Sequence, residues 1–362
     1  MRYIFAGGGS GGHIFPAIAI ADEIKILDKD AEILFTGAKG RIEEKIVPSN
    51  NYRLETINIS GFDRSSYKNN LRLPMKLILS LKRCFEILKE FKPDVAIGTG
   101  GFVCGPVIFA AGILKIPTLI QEGNSYAGKT IKFLSGRADK VVINFSETEK
   151  YLKRKDNIVK IPHPVRSSFT EINRDKALEY FGLSGERKTV FIFGGSQGAR
   201  GINECIRMNL RNLINSGMNV IWQTGKPEYE KLSSEFSDIK NGLRIFEFID
   251  KMDMAYSAGD VIVCRAGITS IMEMAVLGKA CVLIPLPTSA ENHQEMNAGS
   301  LAKENAAVMI LENEINNKLK DEIMNLIKDE KRLSELRNNI KIFSDRNAAK
   351  KIAEEAIKLT VK

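Results

Sequence analysis

The chain has 362 residues, 44% hydrophobic and 27% charged, which excludes disorder, collagen-like repeats and a disulfide scaffold and leaves room for two domains with separate cores. The formal net charge is +9, and all of it falls in residues 1–168, where 26 Lys and Arg face 17 Asp and Glu; the remainder balances to zero. A basic first half is either an ordinary surface excess or a face turned toward nucleic acid, membrane or a phosphorylated substrate.

In chain order, a short apolar strand, Arg2 to Ala6, runs into Gly7-Gly8-Gly9-Ser10-Gly11-Gly12-His13 and then a helical apolar pattern (Ile14, Ile18, Ala21, Ile24). Strands follow at Glu32–Thr36, Arg53–Ile57, Val95–Gly98, Thr118–Gln121 and Lys140–Asn144. The opening grammar returns at Thr189–Phe193, followed by Gly194-Gly195-Ser196-Gln197-Gly198-Ala199 and a second helix. Further strands read as Asn219–Gln223, Leu243–Glu247, Val261–Cys264 and Ala280–Pro285. Two strand–glycine turn–helix units half a chain apart predict an α/β protein of two Rossmann-like, doubly wound parallel-sheet domains facing a central cleft. Pro162-His163-Pro164 holds the chain extended, so the domains are expected at 1–163 and 164–345. The last stretch, 346–362, carries a polar amphipathic helix that could pack on either domain and is expected on the first.

The five cysteines are widely spaced and form no C-x-x-C pair, which predicts reduced, mostly buried thiols. With only His13, His163 and His293 to draw on, no metal site and no cofactor is expected. A glycine loop follows Met1 almost at once, so no signal peptide is expected, and the longest apolar run is too short to span a bilayer.

The first glycine loop lets backbone N–H groups approach a ligand, and the helix behind it adds a positive dipole end. No lysine follows, so it is not a P-loop, and the loose G-x-G-x-x-G alone says little about a dinucleotide. His13 is either a general base beside that loop or a helix-opening histidine bonded to backbone. Thr99 to Pro106 make a second glycine turn. In the second half, Gly267 to Ser270 would offer N–H groups to a diphosphate. Glu273, one turn on, either accepts from ribose hydroxyls or serves the helix start. Ala290 to Ala298 form a dense polar run suited to reading sugar hydroxyls.

Seven motifs carry a resemblance that runs essentially end to end. They are Gly7–His13, Gly100–Pro106, Gln121–Gly128, Pro164–Arg166, Gly194–Ala199, Cys264–Glu273 and Ala290–Ala298. Together they resemble the bacterial cell-wall transferases of glycosyltransferase family 28, which have the GT-B fold. These enzymes move GlcNAc from UDP-GlcNAc to undecaprenyl-diphospho-MurNAc-pentapeptide (lipid I), giving lipid II.

The resemblance implies an inverting, metal-independent displacement, with His13 as the base if any of these residues serves. It places Ser10, Gly11 and Gly12 in the loop near the donor, and Asn124 approaching the donor from the first domain. Arg166 and Ser196 would bind the diphosphate region, and Ile249 would contact the uracil. Ile268, Thr269, Ser270, Ile271, Met272 and Glu273 would hold ribose and phosphates, and Gln294 would read the GlcNAc. Cell-wall synthesis and division proteins are implied as partners, with a peripheral place on the cytoplasmic face of the plasma membrane. The chain departs from the family in having Gln121-Glu122-Gly123-Asn124 for His-Glu-Gln-Asn, and Pro162-His163-Pro164 for Gly-Asn-Pro.

Residues 68–92 are basic and rich in Leu and Ile. Leu77, Leu81, Phe85 and Leu88 read as a core stripe, which Ile78 and Leu79 widen. Such a helix is either a solvated surface helix or a seat on an anionic leaflet. Nucleic acid is not expected as a partner, since aromatics are few. Rival readings are a related transferase with another lipid acceptor such as diacylglycerol, a non-catalytic UDP-sugar-binding protein, and an NAD-dependent oxidoreductase.

Overall fold

The computed structural model describes residues 1–61, 73–166, 169–195 and 197–361. Two compact units divide the chain: Met1–Ser167 with Asp345–Lys362, and Ser168–Ser344.

The first unit is built on seven strands: β1 (Arg2–Gly7), β2 (Glu32–Ala38), β3 (Arg53–Ile57), β4 (Val95–Gly100), β5 (Thr118–Glu122), β6 (Lys140–Ile143) and β7 (Ile158–Lys160). They pair in parallel in the order β3-β2-β1-β4-β5-β6-β7. Because helices cover both faces, the central strands are apolar throughout; every residue of β4 and β5 is buried. One face packs Ile4, Leu34, Ile87 and Val107, and the other packs Tyr3, Phe5, Ile18 and Ile24. The closing helix Ala348–Lys358 joins this second face through Ile352, Ala353 and Ala356.

The second unit has six strands: β8 (Thr189–Phe193), β9 (Asn219–Gln223), β10 (Leu243–Phe246), β11 (Val261–Cys264), β12 (Ala280–Leu283) and β13 (Val308–Met309). They are parallel in the order β10-β9-β8-β11-β12-β13, around a core that includes Trp222, Ile202 and Leu319.

The eleven strands read from the sequence are all present, with ends moved by at most two residues. β7 and β13 escaped notice because three and two residues carry no period. All five cysteines are buried and unpaired, and burial pushes the Cys104 and Cys281 thiols up to about 12.

One expectation is corrected. In the helix Leu73–Phe91 the buried positions are Ser80, Cys84, Ile87 and Leu88, whereas Leu77 is exposed together with Met75, Ile78 and Leu79. The helical period was right and its phase was not. More apolar surface therefore faces outward than the sequence pattern suggested. The basic positions Lys68 and Arg72, and Leu71, lie outside the described residues.

Candidate active site

In each sheet the strand order reverses beside the first strand: between β1 and β4 in one unit, and between β8 and β11 in the other. At such a switch point the loops leaving neighbouring strands diverge and open a crevice at the strands' carboxyl ends. Both units place their glycine turns there.

In the first unit, β1 leads through Gly8, Gly9 and Ser10 into the helix Gly11–Leu27, with His13 in its first turn. Thr99, at the end of β4, grips His13 twice. Its Oγ1 donates to the His13 carbonyl at 2.8 Å, and its own carbonyl lies 3.1 Å from His13 Nδ1. A carbonyl only accepts, so Nδ1 carries a hydrogen and the basic lone pair of the neutral ring sits on Nε2. The second glycine turn makes room for this ring. A Cβ on Gly100 (φ +101°) would lie 2.7 Å from His13 Nδ1, and one on Gly101 (φ +79°) 2.3 Å from the Gly8 carbonyl.

Beyond β5, the loop holding Asn124 is built around Glu122. This buried carboxyl accepts from Asn124 N, Asn124 Nδ2 and Gly128 N at 2.8–3.0 Å. Burial raises its pKa, and the three donors oppose the rise. Gln121 and His163 pair beneath this loop, Nε2 to Nδ1 at 3.1 Å, and both are almost wholly buried. The His163 N–H donates to Asn144 Oδ1, whose amide in turn donates to the Gly123 carbonyl. Gly123 has no room for a side chain, since a Cβ would lie 2.4 Å from His163 Nδ1. Gln121, Gly123 and His163 form one packing unit. Arg166 lies over the ring of Phe15, 4.7 Å from its centroid.

In the second unit, three groups of residues expected to bind a ligand lie at the carboxyl ends of β10, β11 and β12. Ser196 lies outside the described residues; at Gly198 (φ +75°) a Cβ would lie 2.0 Å from the Thr224 carbonyl. Gln223, which the sequence reading missed, ties this turn to the Ile249 segment. Its Nε2 donates to the Gly195 carbonyl at 3.0 Å, and its Oε1 accepts from Ile249 N at 2.8 Å. The helix Ile268–Leu277 starts at Gly267 with no side-chain cap, so its first-turn N–H groups face the carboxyl end of the sheet.

Ile268, Ile271 and Met272 are buried, and Thr269 and Ser270 are partly exposed. Glu273 is 9% exposed, and Tyr256 donates to its Oε2 at 3.1 Å. Arg265 anchors the turn before this helix by pairing with Glu312 and donating to the Ile284 and Pro285 carbonyls. Gln294 Oε1 accepts from Leu286 N at 3.0 Å, which joins the polar helix His293–Lys303 to the end of β12. Tyr256, Arg265 and Gln223 were not singled out in the sequence because their partners are distant along the chain.

Two parallel-sheet units with glycine turns at both switch points are the architecture of the GT-B fold. The N-terminal and C-terminal domain models of glycosyltransferase family 28 match residues 3–143 and 189–355, and the chain belongs to this family.

Two relatives are named UDP-N-acetylglucosamine--N-acetylmuramyl-(pentapeptide) pyrophosphoryl-undecaprenol N-acetylglucosamine transferase. The protein of Parabacteroides distasonis is 41% identical over 99% of this chain and 98% of its own. That of Christiangramia forsetii is 43% identical over the same shares. Among solved structures, MurG of Acinetobacter baumannii is 26% identical and covers 99% of both chains with a TM-score of 0.79.

Proposed function

We propose that this protein transfers GlcNAc from UDP-GlcNAc to the 4-hydroxyl of undecaprenyl-diphosphate-linked MurNAc-pentapeptide, with inversion at the anomeric carbon. Full-length identity to transferases named for that reaction supports the substrate pair.

The observation that carries the chemistry is the Thr99–His13 contact, because it sets the tautomer that a base needs. His13 Nε2 would take the proton of the acceptor hydroxyl while its oxygen attacks the anomeric carbon and the bond to UDP breaks. The N–H groups opening Ile268–Leu277 would stabilise the charge gathering on the leaving diphosphate. Glu273 would accept from the ribose, the Ile249 segment would bound the uracil, and Gln294 would read the sugar. Ser10, Gly11, Gly12 and Asn124 would be the first unit's substrate-binding residues.

The acceptor's polyprenyl tail stays in a bilayer, so the first unit would work at a membrane surface. No helix among the described residues is long and apolar enough to cross one. Met75, Ile78 and Leu79 are 63%, 64% and 53% exposed, and beside them Ile78, Leu81, Phe85 and Leu114 line a groove with Lys82, Lys89 and Glu86. An apolar face with a basic rim suits an anionic leaflet.

The test is release of UDP from UDP-GlcNAc across an acceptor panel. Turnover with a lipid I analogue and none with diacylglycerol is expected. No acceptor-dependent turnover under any lipid or detergent condition would refute the reading.

A further inference from the structure

A glycine turn opening a helix usually offers its N–H groups to an anion. In the first unit the turn after β1 is already engaged from inside. Glu43, the first residue of the helix Glu43–Ser49, is wholly buried beneath it. Its Oε1 accepts from Gly9 N at 2.9 Å and from Ala38 N at 3.3 Å, and its Oε2 is buried with no hydrogen-bond partner among the described residues. Glycines fit around this one side chain. A Cβ on Gly8 would lie 2.0 Å from Oε1, and one on Gly37 would lie 2.9 Å from the Glu43 Cβ. The Gly8 carbonyl in turn abuts Gly101, and His13 packs against Gly100. One carboxylate thus sets the backbone of both glycine turns at the switch point and, through them, the place of the His13 ring.

We infer that Glu43 is a positioning and specificity-determining residue of the first unit. It spends the Gly9 N–H inside the protein and puts carboxyl oxygens behind the turn. The Gly8–Ser10 turn is therefore reserved for an uncharged, hydroxyl-bearing group, and phosphates bind elsewhere. An anion arriving at the turn finds the Gly9 donor already engaged and carboxyl oxygens, not further donors, behind it. The link to His13 rests on the base role proposed above; the exclusion of anions does not.

The experiment uses the full chain with E43A, E43Q and E43D. The first arm needs no turnover: thermal unfolding is followed as inorganic phosphate is titrated against sodium chloride of equal ionic strength. E43A is expected to show a larger phosphate-dependent rise in Tm than the wild type, because the helix start at Gly267 takes phosphate in both proteins and the Gly8–Ser10 turn only in the variant. Equal phosphate dependence in both overturns the inference.

The second arm measures kcat and the KM for a lipid I analogue. E43A is expected to lose about tenfold in kcat, with part of the loss restored by formate, which can refill the vacated carboxylate position. E43Q, which keeps an acceptor at the same reach, is expected to lose less than E43D, which withdraws it by one methylene. Wild-type kinetics in E43A, or E43D outperforming E43Q, overturns the positioning role. If E43A does not fold, the E43Q and E43D order still decides. If the wild type shows no turnover with any acceptor, the functional reading fails and the phosphate arm alone judges Glu43.

Discussion

Gln121 and His163, forty-two residues apart, form a buried side-chain pair, and Gly123 lacks a Cβ where the His163 ring lies. The imidazole comes from the proline-flanked segment and not from β5, and glycine at 123 is what admits it. We predict that G123A costs roughly 1–3 kcal/mol by overpacking, measured by urea unfolding. In the background of H163A the same change should cost much less, giving a coupling energy of about 1 kcal/mol or more in a double-mutant cycle. Additive losses would separate the two residues.

His163 also sets a pH dependence. Burial lowers its pKa from 6.5 to about 3, with nearby His13 adding to the shift. Between those values the unfolded chain holds a proton that the folded chain does not. Stability is therefore full above about pH 6.5 and falls as the pH drops toward 3, by up to about 1.4 kcal/mol per unit. Between pH 7 and pH 5 the wild type should lose roughly 2 kcal/mol more than H163N in urea unfolding. Parallel losses in the two proteins would rule out His163 as the source.

On the donor side, Tyr256 holds Glu273 from behind through a hydrogen bond between two buried groups. Y256F should raise the KM for UDP-GlcNAc about tenfold, on the scale of one buried hydrogen bond, with kcat changed far less. Combined with E273Q it should add almost nothing further. A Y256F effect that persists in full in the E273Q background would show that the tyrosine acts by another route.

At the membrane, I78E and L79E together should weaken binding to anionic phospholipid vesicles roughly tenfold in a sedimentation assay. Activity on a short-chain, detergent-free acceptor should stay unchanged. Unaltered vesicle binding would refute this face as a membrane contact.

Much of this was legible beforehand, and the limits have physical causes. The strands could be read because both-face burial makes them short apolar runs, and the glycine turns because positive φ leaves few residue choices. The phase of the Leu73–Phe91 stripe was not legible. An amphipathic period gives a helix but does not say which of two apolar-rich faces is buried, and Leu77 fell on the exposed one. Glu43, Gln223 and Tyr256 were missed for one reason. Their partners Gly9, Ile249 and Glu273 lie 34, 26 and 17 residues away, brought close only by parallel strand pairing. The resemblance to the family supplied the ligand assignments, which geometry alone does not print on the chain.

The most direct measurement follows radiolabelled GlcNAc from UDP-GlcNAc onto a lipid I analogue, with the new linkage identified by NMR, for wild type and H13A. The account predicts a β-linked GlcNAc on the muramoyl 4-hydroxyl, and a loss of about a hundredfold or more in kcat for H13A with the donor KM nearly unchanged. An α-linked product, label on a different acceptor, or an H13A enzyme as fast as wild type would contradict it.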